Sequence, residues 1–583
     1  MKKNEQKSEK KSKKVKKQDS LKLIQLCPYV LLLIASALML TVIQAPIDLS
    51  FLAWISFVPF IIAAYYTKEI RSRKMYFVVY IVSVFYWLGN LYWIFPITIA
   101  GWLVLCLYTA LLWPLLFFCL RYCMKKKVPL FLASAILIAG IERMQGIFLG
   151  GFFWRFLAHS QYKNITIIQI ADIFGACGVS CLIAMVNGLF ADLITASREK
   201  KLFTAAQYVK TGIVASILIV CVIYGRWRLG QEAEFVEEGP LAASLQSNVP
   251  QSVKNTFESS EDIFDGLMKD SNEVSAHKPE LIVWPETMVQ ATLNPGILSI
   301  MEDDHIWNVL DQRLKEHAEN NAFLLIGAYG GTPAMTEDQK YVILDERFNS
   351  AFLYNNKGQK TTEVYDKIHL VPFGEVLPLR NSMAWFYEML MKVKFIPYDF
   401  DYSLDYGSNY TIFKMTGSEG QKYKFSVIIC YEDTVPVLPR RFALDKNGEK
   451  QIDWLVNISN DGWFVRWGNE KIMPSTELPQ HAAVCTFRAV ENRLAVLRSV
   501  NTGISCLIDS SGRIKNGYIN GTLPENAMAR TGISGWFIDK IPIDKRTAFF
   551  SKYGEWLDFL CEFCVFFVII ASLSGRFVRF KKG

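Results

Sequence analysis

A series of apolar runs, each near the length of a bilayer crossing, constrains this chain more than any other feature. A membrane-spanning helix needs about 20 mostly apolar residues. Seven such runs precede residue 230, near 21–44, 49–66, 75–96, 98–120, 128–147, 173–195 and 209–225, and an eighth lies near 556–575. The connections between them alternate in charge. Lys68–Lys74, Arg121–Lys127, Arg198–Lys201 and the tail Arg576–Lys582 are basic, whereas Ala45–Leu49 and Pro96–Gly101 carry no Lys or Arg. Lys and Arg favour the cytoplasmic side of a membrane protein. The pattern therefore predicts that both termini are cytoplasmic and that 226–547 lies on the outer face.

The division that follows is a disordered basic tail (1–20), a seven-helix transmembrane domain (21–225), an outer domain (226–547), and a last helix with its basic tail (548–583). The net charge of +8 is concentrated at the start, where nine lysines fall within the first 17 residues. The remainder is close to neutral, so no nucleic-acid partner is expected. The run after the tail is too long for the apolar core of a signal peptide. Of twelve cysteines, only Cys430, Cys485 and Cys506 lie in the outer region, an odd number that argues against a disulfide framework. Cys561 and Cys564 form a CxxC without a second ligand pair, so no metal site is expected there. The Gly-rich aromatic stretch Gly150–Leu157, followed by Gln161 and Gln169, reads as an interfacial aromatic belt or as a loop that touches substrate. Glu142 and Arg143 are expected to pair.

The outer region alternates apolar strands with amphipathic helices and is long enough for one α/β domain. Expected strands are 241–249, 281–286, 323–329, 347–354, 410–415, 424–430, 454–458 and 494–499; expected helices are 252–269, 306–320 and 479–492. Phosphate-binding Gly-rich loops and the Gly-x-Ser-x-Gly elbow are both absent. Three segments carry candidate chemistry. Phe425–Asp433 is a β-branched strand that stops at Cys430, with Glu432 two residues on; by itself this reads as a small apolar residue closing a core strand. Leu281–Thr287 is a strand stopped by proline, with Glu286 at its tip beside Trp284. Desolvation there would raise the carboxyl pKa and suit it to base catalysis, whereas a solvated or capping glutamate is the plainer reading. Tyr365–Leu379 sets Lys367 and Glu375 around a stiff loop. Lys367 is either a solvated charge or, in a cleft, a cation facing an oxyanion. His369 is a rival base or a structural hydrogen-bonding residue.

The order Glu, Lys, Cys resembles the nitrilase, or carbon-nitrogen hydrolase, superfamily. Over nearly its full length the chain is similar to the apolipoprotein N-acyltransferases of the bacterial envelope. The motifs are Gln246–Gln251, Val283-Trp-Pro-Glu286, Lys367–Glu375, Ile429-Cys-Tyr-Glu432, Asn457–Phe464 and Asn501–Ile504. This resemblance implies an αββα sandwich carried outside an eight-helix bundle in the inner membrane. It implies Glu286 as general base, Lys367 as oxyanion stabiliser and Cys430 as nucleophile, with Glu375 and Glu432 in support and Tyr431 beside the nucleophile. The implied reaction moves an acyl chain from a membrane phospholipid to the α-amine of an apolipoprotein's lipid-modified N-terminal cysteine, through a thioester and without cofactor or metal. The chain departs from the family pattern at Asn255, where a tryptophan is usual, at Val376, where a tyrosine is usual, and in a longer 463–480 segment. The apolar stretch Met383–Phe395, with Trp385 and Phe386, is expected to be a lid on the membrane surface or else a core helix; 463–467 could act similarly. The triad alone also suits a membrane-anchored amidase that uses water. A polytopic receptor or transporter is the third reading, disfavoured by the few intramembrane charges, Asp558 and Glu562 near a helix end.

Overall fold

A computed structural model describes residues 23–70, 73–254, 257–319, 321–335, 342–376, 385, 403–468 and 471–580. Each apolar run is helical: Leu23–Val42, Val58–Thr67 after a 3-10 turn, Arg73–Asn90, Ile99–Thr109 with Leu112–Lys125, Leu130–Ile147, Ala171–Arg198, Ala205–Gly230 and Trp556–Phe580. Among the described residues six helical stretches are long and apolar enough to cross a membrane, and Leu26–Val42 is a shorter apolar helix. Two runs that read as continuous are broken, at Ser56–Phe57 and Ala110–Leu111. Each break falls just before a proline, Pro59 or Pro114, which cannot donate to the preceding turn. Two of the basic connections are drawn together by Arg121, whose guanidinium donates to the carbonyls of Thr67, Lys68 and Ile70.

Apart from one two-stranded hairpin, the described strands form two sheets. The first runs Ile519–Asn520, Gly535–Asp544, Val236–Gln246, Leu281–Val283, Phe323–Met335, Val342–Tyr354, Lys360–Asp366, with Val289–Thr292 added against Phe323–Met335. The second runs Ile514–Lys515, Cys506–Ile508, Ala495–Val500, Trp454–Ser459, Lys422–Ile429, Phe413–Thr416. The central strands of both are parallel and the outer ones antiparallel. Parallel strands are covered on both faces and so read as unbroken apolar runs, which is why 281–283 and 454–459 stood out in the sequence. One shared core joins Leu281, Val283, Leu325 and Leu353 of the first sheet to Val427, Ile429, Leu455 and Leu497 of the second. The outer face of the first sheet is covered by the helices Phe257–Ser275 and Ile306–Ala318. The helix Glu477–Asn492 covers the second. This is the expected nitrilase-like four-layer sandwich.

Glu477–Asn492 also joins the sandwich to the membrane helices, and all of its residues are buried. Ala482, Cys485 and Ala489 face the sandwich core. Ala483, Phe487 and Val490 face the core of the membrane bundle. Polar groups close the seam. Arg493 donates to Asp172 at 2.6 Å and to Gln169 at 2.6 Å, Arg228 reaches the same aspartate at 2.7 Å, and the Ala176 amide donates to Glu491 at 2.9 Å. Two expectations are corrected here. Glu142 and Arg143 do not pair, because Leu157 N donates to Glu142 at 2.7 Å while Arg143 binds Glu555. Gln161 and Gln169 are tied to the carbonyls of Ser50 and Ser511, so they brace the fold.

Candidate active site

Cys430 ends the strand Lys422–Ile429 and opens a 3-10 turn, Cys430–Thr434. Its φ is +52°, in the left-handed region that non-glycine residues avoid at about 1–2 kcal/mol. Glu432 holds the turn in this shape. Its Oε2 accepts from Ile429 N at 2.7 Å and Tyr365 Oη at 2.8 Å, and its Oε1 accepts from the amides of Ile368 and His369 at 2.7 and 2.8 Å. One buried carboxylate thus ties the cysteine turn to the lysine loop. Burial pushes the Glu432 carboxyl up to about 7, while its backbone donors and Lys367 pull the other way.

Glu286 follows the strand Leu281–Val283 and is buried. Its Oε1 accepts from Asn349 Nδ2 at 2.6 Å and Lys367 Nζ at 3.3 Å, and its Oε2 accepts from Asn460 N at 2.6 Å. Lys367 Nζ also donates to Glu375 Oε1 at 2.8 Å, and Asn349 Nδ2 to the same oxygen at 3.0 Å. Burial by itself would lower the Lys367 pKa, but Glu286, Glu375 and Cys430 raise it well above the usual lysine range, so the ammonium is fixed in its charged form. Burial and then Glu286 push the Cys430 thiol up, and Lys367 opposes them. Glu286, Lys367, Glu375 and Cys430 are therefore brought into one electrostatic unit from three separate segments.

Two models of known families match this chain: the apolipoprotein N-acyltransferase N-terminal domain over residues 36–189 and carbon-nitrogen hydrolase over 241–523. A protein named apolipoprotein N-acyltransferase from Geobacter metallireducens is 27% identical over 94% of this chain and 95% of its own length. The relative of that name from Thermotoga maritima is 27% identical over 77% of this chain and 72% of its own. The chain belongs to the apolipoprotein N-acyltransferase family. Among solved structures, an amidase of the nitrilase superfamily from Nesterenkonia is 14% identical, with a TM-score of 0.33, over 55% of this chain and 93% of its own.

Several details differ from what the residues suggested. Trp284 does not desolvate the Glu286 carboxylate; it packs on Phe264 in the opposite core and its Nε1 donates to Ser271. Alternation would put positions 284 and 286 on one face, but the strand ends at Val283 and the chain turns at Glu286–Thr287, so the two side chains part. His369 stacks on Tyr431, and burial followed by Lys367 lowers its pKa to about 4. It is held as a neutral ring and makes no hydrogen bond to Cys430 among the described residues. Tyr431 contacts the membrane bundle: its Oη accepts from Phe153 N at 3.2 Å and donates to Gly151 O at 3.3 Å. The aromatic stretch 150–157 is thus a loop that reaches the cysteine turn. Trp385 is exposed, and Phe386 lies outside the described residues. In the 463–480 segment, Arg466–Gly468 and Lys471–Met473 form a hairpin that leans on the bundle, Arg466 over Tyr92 and Phe464 against Trp93.

Sequence reasoning missed Asn349, Asn460 and Lys254. Asn349 occupies an ordinary strand position, and Asn460 acts through its backbone amide, which no side chain advertises. Lys254 is buried, donates to Thr287 Oγ1 at 2.6 Å, and burial lowers its pKa to about 7 against the pull of Glu286. The backbone strain could not be read from sequence either. Asn248, Thr287, Phe373 and Cys430, all in segments bordering this site, have φ of +56°, +48°, +63° and +52°. Such outliers concentrate where surrounding structure holds a functional geometry. Asp461, Glu477 and His481 have ligand-type atoms close enough to hold a cation, but their charges are already balanced by pairing with one another and with Asp433 and Arg498.

Proposed function

We propose that this protein acylates the N-terminal amine of apolipoproteins, using a membrane phospholipid as acyl donor and Cys430 as nucleophile. One observation carries the reading: the Glu286–Lys367–Glu375 ion cluster shares a buried site with a cysteine whose turn is hydrogen-bonded, through Tyr431, to a loop of the membrane bundle. Glu286 takes the Cys430 proton, and the thiolate attacks the lipid ester carbonyl. The oxyanion forms beside the Lys367 ammonium, a positive charge preorganised where negative charge develops. The ester C–O bond breaks, and Glu286 returns the proton to the lysophospholipid alkoxide. The apolipoprotein amine then attacks the thioester, giving up a proton through Glu286, and the thiol is restored. Glu375 and Asn349 keep Lys367 and Glu286 in register throughout. A lipid-facing site also avoids exposing acyl methylenes to water, at about 0.8 kcal/mol each.

Contacts across the seam support an outer placement of the catalytic domain. Connections without Lys or Arg, or turns beside them, touch it: Gln480 Nε2 donates to Ala45 O at 2.9 Å and Phe464 packs on Trp93. Two of the basic connections meet elsewhere, where Arg121 donates to the carbonyls of Thr67, Lys68 and Ile70. The decisive experiment incubates the purified chain with phospholipid labelled in its acyl group and maps the adduct by mass spectrometry. A thioester on Cys430, discharged by a diacylglyceryl-cysteine peptide with an amide as product, is the expected result. Hydrolysis of water-soluble amides without any lipid adduct would overturn the assignment in favour of an amidase.

A further inference from the structure

Behind the cysteine turn lies a buried cluster that the reaction above does not use. His481, on the helix Glu477–Asn492, presents both ring nitrogens to carboxylates. Nε2 is 2.8 Å from Asp433 Oδ1; Nδ1 is 3.3 Å from Asp461 Oδ2 and 3.2 Å from Glu477 Oε1. A neutral imidazole would point a lone pair at Asp433 or at Asp461, whereas the doubly protonated ring donates to both. Arg498, on the strand Ala495–Val500, completes the set by binding Asp433. Burial, then Asp461, pushes the Glu477 carboxyl up to about 8, so it is protonated near neutrality. The two cations and the two aspartates then balance.

The carboxylates on either side of the ring belong to different parts of the site. Asp433 is in the 3-10 turn that begins with Cys430. Asp461 directly follows Asn460, whose amide holds Glu286, and its Oδ1 accepts from Ser459 Oγ at 2.6 Å. We infer that His481 is a positioning residue for acyl transfer, its imidazolium stapling the turn that carries Cys430 to the loop that anchors Glu286. The inference rests on Cys430 being the nucleophile. The remaining side of the ring is closed by the membrane bundle. Trp154 lies 5.6 Å from the His481 ring and its Nε1 donates to Gln480 at 2.9 Å. The charged and titratable groups around His481 are Asp433, Asp461, Glu477 and Arg498, with Cys485 beside Asp433. Both His481 and Asp461 act electrostatically on the Cys430 thiol, in opposite senses.

The test uses the full chain in detergent micelles with phospholipid, and reads the pH midpoint of Cys430 alkylation by iodoacetamide alongside the thioester-forming rate. In His481→Gln the cation is lost while Asp461 remains, so the midpoint should move toward higher pH by about 1, and the rate should fall tenfold or more at unchanged lipid KM. Asp461→Asn keeps His481 on Asp433 and removes the anion, so its midpoint should move the other way even if the His481 variant fails to fold. The double variant should return toward the parent midpoint. A side chain that merely fills the core would lower the folded yield without moving any midpoint. Unchanged midpoints in Asp461→Asn, or a His481→Gln rate within twofold of the parent, would overturn the inference. Because alkylation needs no acyl transfer, the midpoints remain informative if Cys430→Ala shows the nucleophile assignment to be wrong.

Discussion

Gly327 offers a sharp test of how the Glu286 base is held. It lies on the strand Phe323–Met335 directly beneath the turn that presents Glu286. A Cβ there would meet Pro285 O and Thr287 N at 2.6 Å and Glu286 Cα at 2.7 Å, where 3.4 Å begins ordinary contact. All three contacts are backbone, so no side chain can swing aside. Gly327→Ala must open a gap of about 0.8 Å, and the turn at Thr287, already at φ +48°, is the part that can move. Overpacking of this kind costs about 1–3 kcal/mol. A displacement near 1 Å of a reacting group can slow chemistry about 100-fold. The hydrogen bonds from Asn349 and Asn460 to Glu286 would be stretched together. Single-turnover thioester formation, measured with the lipid donor in excess, should therefore drop by about two orders of magnitude while the protein still melts cooperatively a few degrees lower. A Gly327→Ala protein that forms thioester within threefold of the parent would refute the claim that backbone packing under this turn sets the base.

Three further outcomes are expected. Lys367→Met should lower thioester formation about 100- to 1,000-fold and destabilise the fold by about 3–5 kcal/mol, since it leaves Glu286 and Glu375 buried without their cation; single-turnover rates and thermal melts read the two effects. Lys254 is buried with its pKa lowered to about 7, so between there and the unfolded lysine value of about 10.4 the unfolded chain binds the extra proton and stability rises with pH; Lys254→Met should accordingly raise the melting temperature more at pH 6 than at pH 9, and an equal change at both would count against that burial. Trp385→Asp should reduce turnover of phospholipid while leaving Cys430 alkylation unchanged, and full turnover would remove Trp385 from lipid handling.

Glu286 and Cys430 were legible because each sits just past the stop of an apolar strand, and a strand end is where a side chain can leave the core. Val283-Trp-Pro-Glu286 and Ile429-Cys-Tyr-Glu432 announce that geometry directly. Their partners were hidden for different reasons. Asn460 contributes an amide common to every residue but proline. Asn349 has no pattern around it that separates a bridging amide from a surface one. Trp284 misled because residues two apart share a face only while a strand continues, and this one ends at Val283.

The helix Glu477–Asn492 shows the same limit at a larger scale. Its polar positions satisfy the pattern of a solvated surface helix, yet every residue is buried, because its second face meets the membrane bundle. Periodicity reports that a face is polar, not what it meets. Here Glu491 and the capping Arg493 form the Glu491–Ala176 and Asp172–Arg493 links across the seam, and His481 projects from the same helix toward the cysteine turn. A single helix therefore contacts the lipid-side bundle, the sandwich core and the back of the candidate site. That shared contact gives a physical reason for such a domain to be built onto apolar helices: the element that joins it to them also bonds to the turn bearing Cys430.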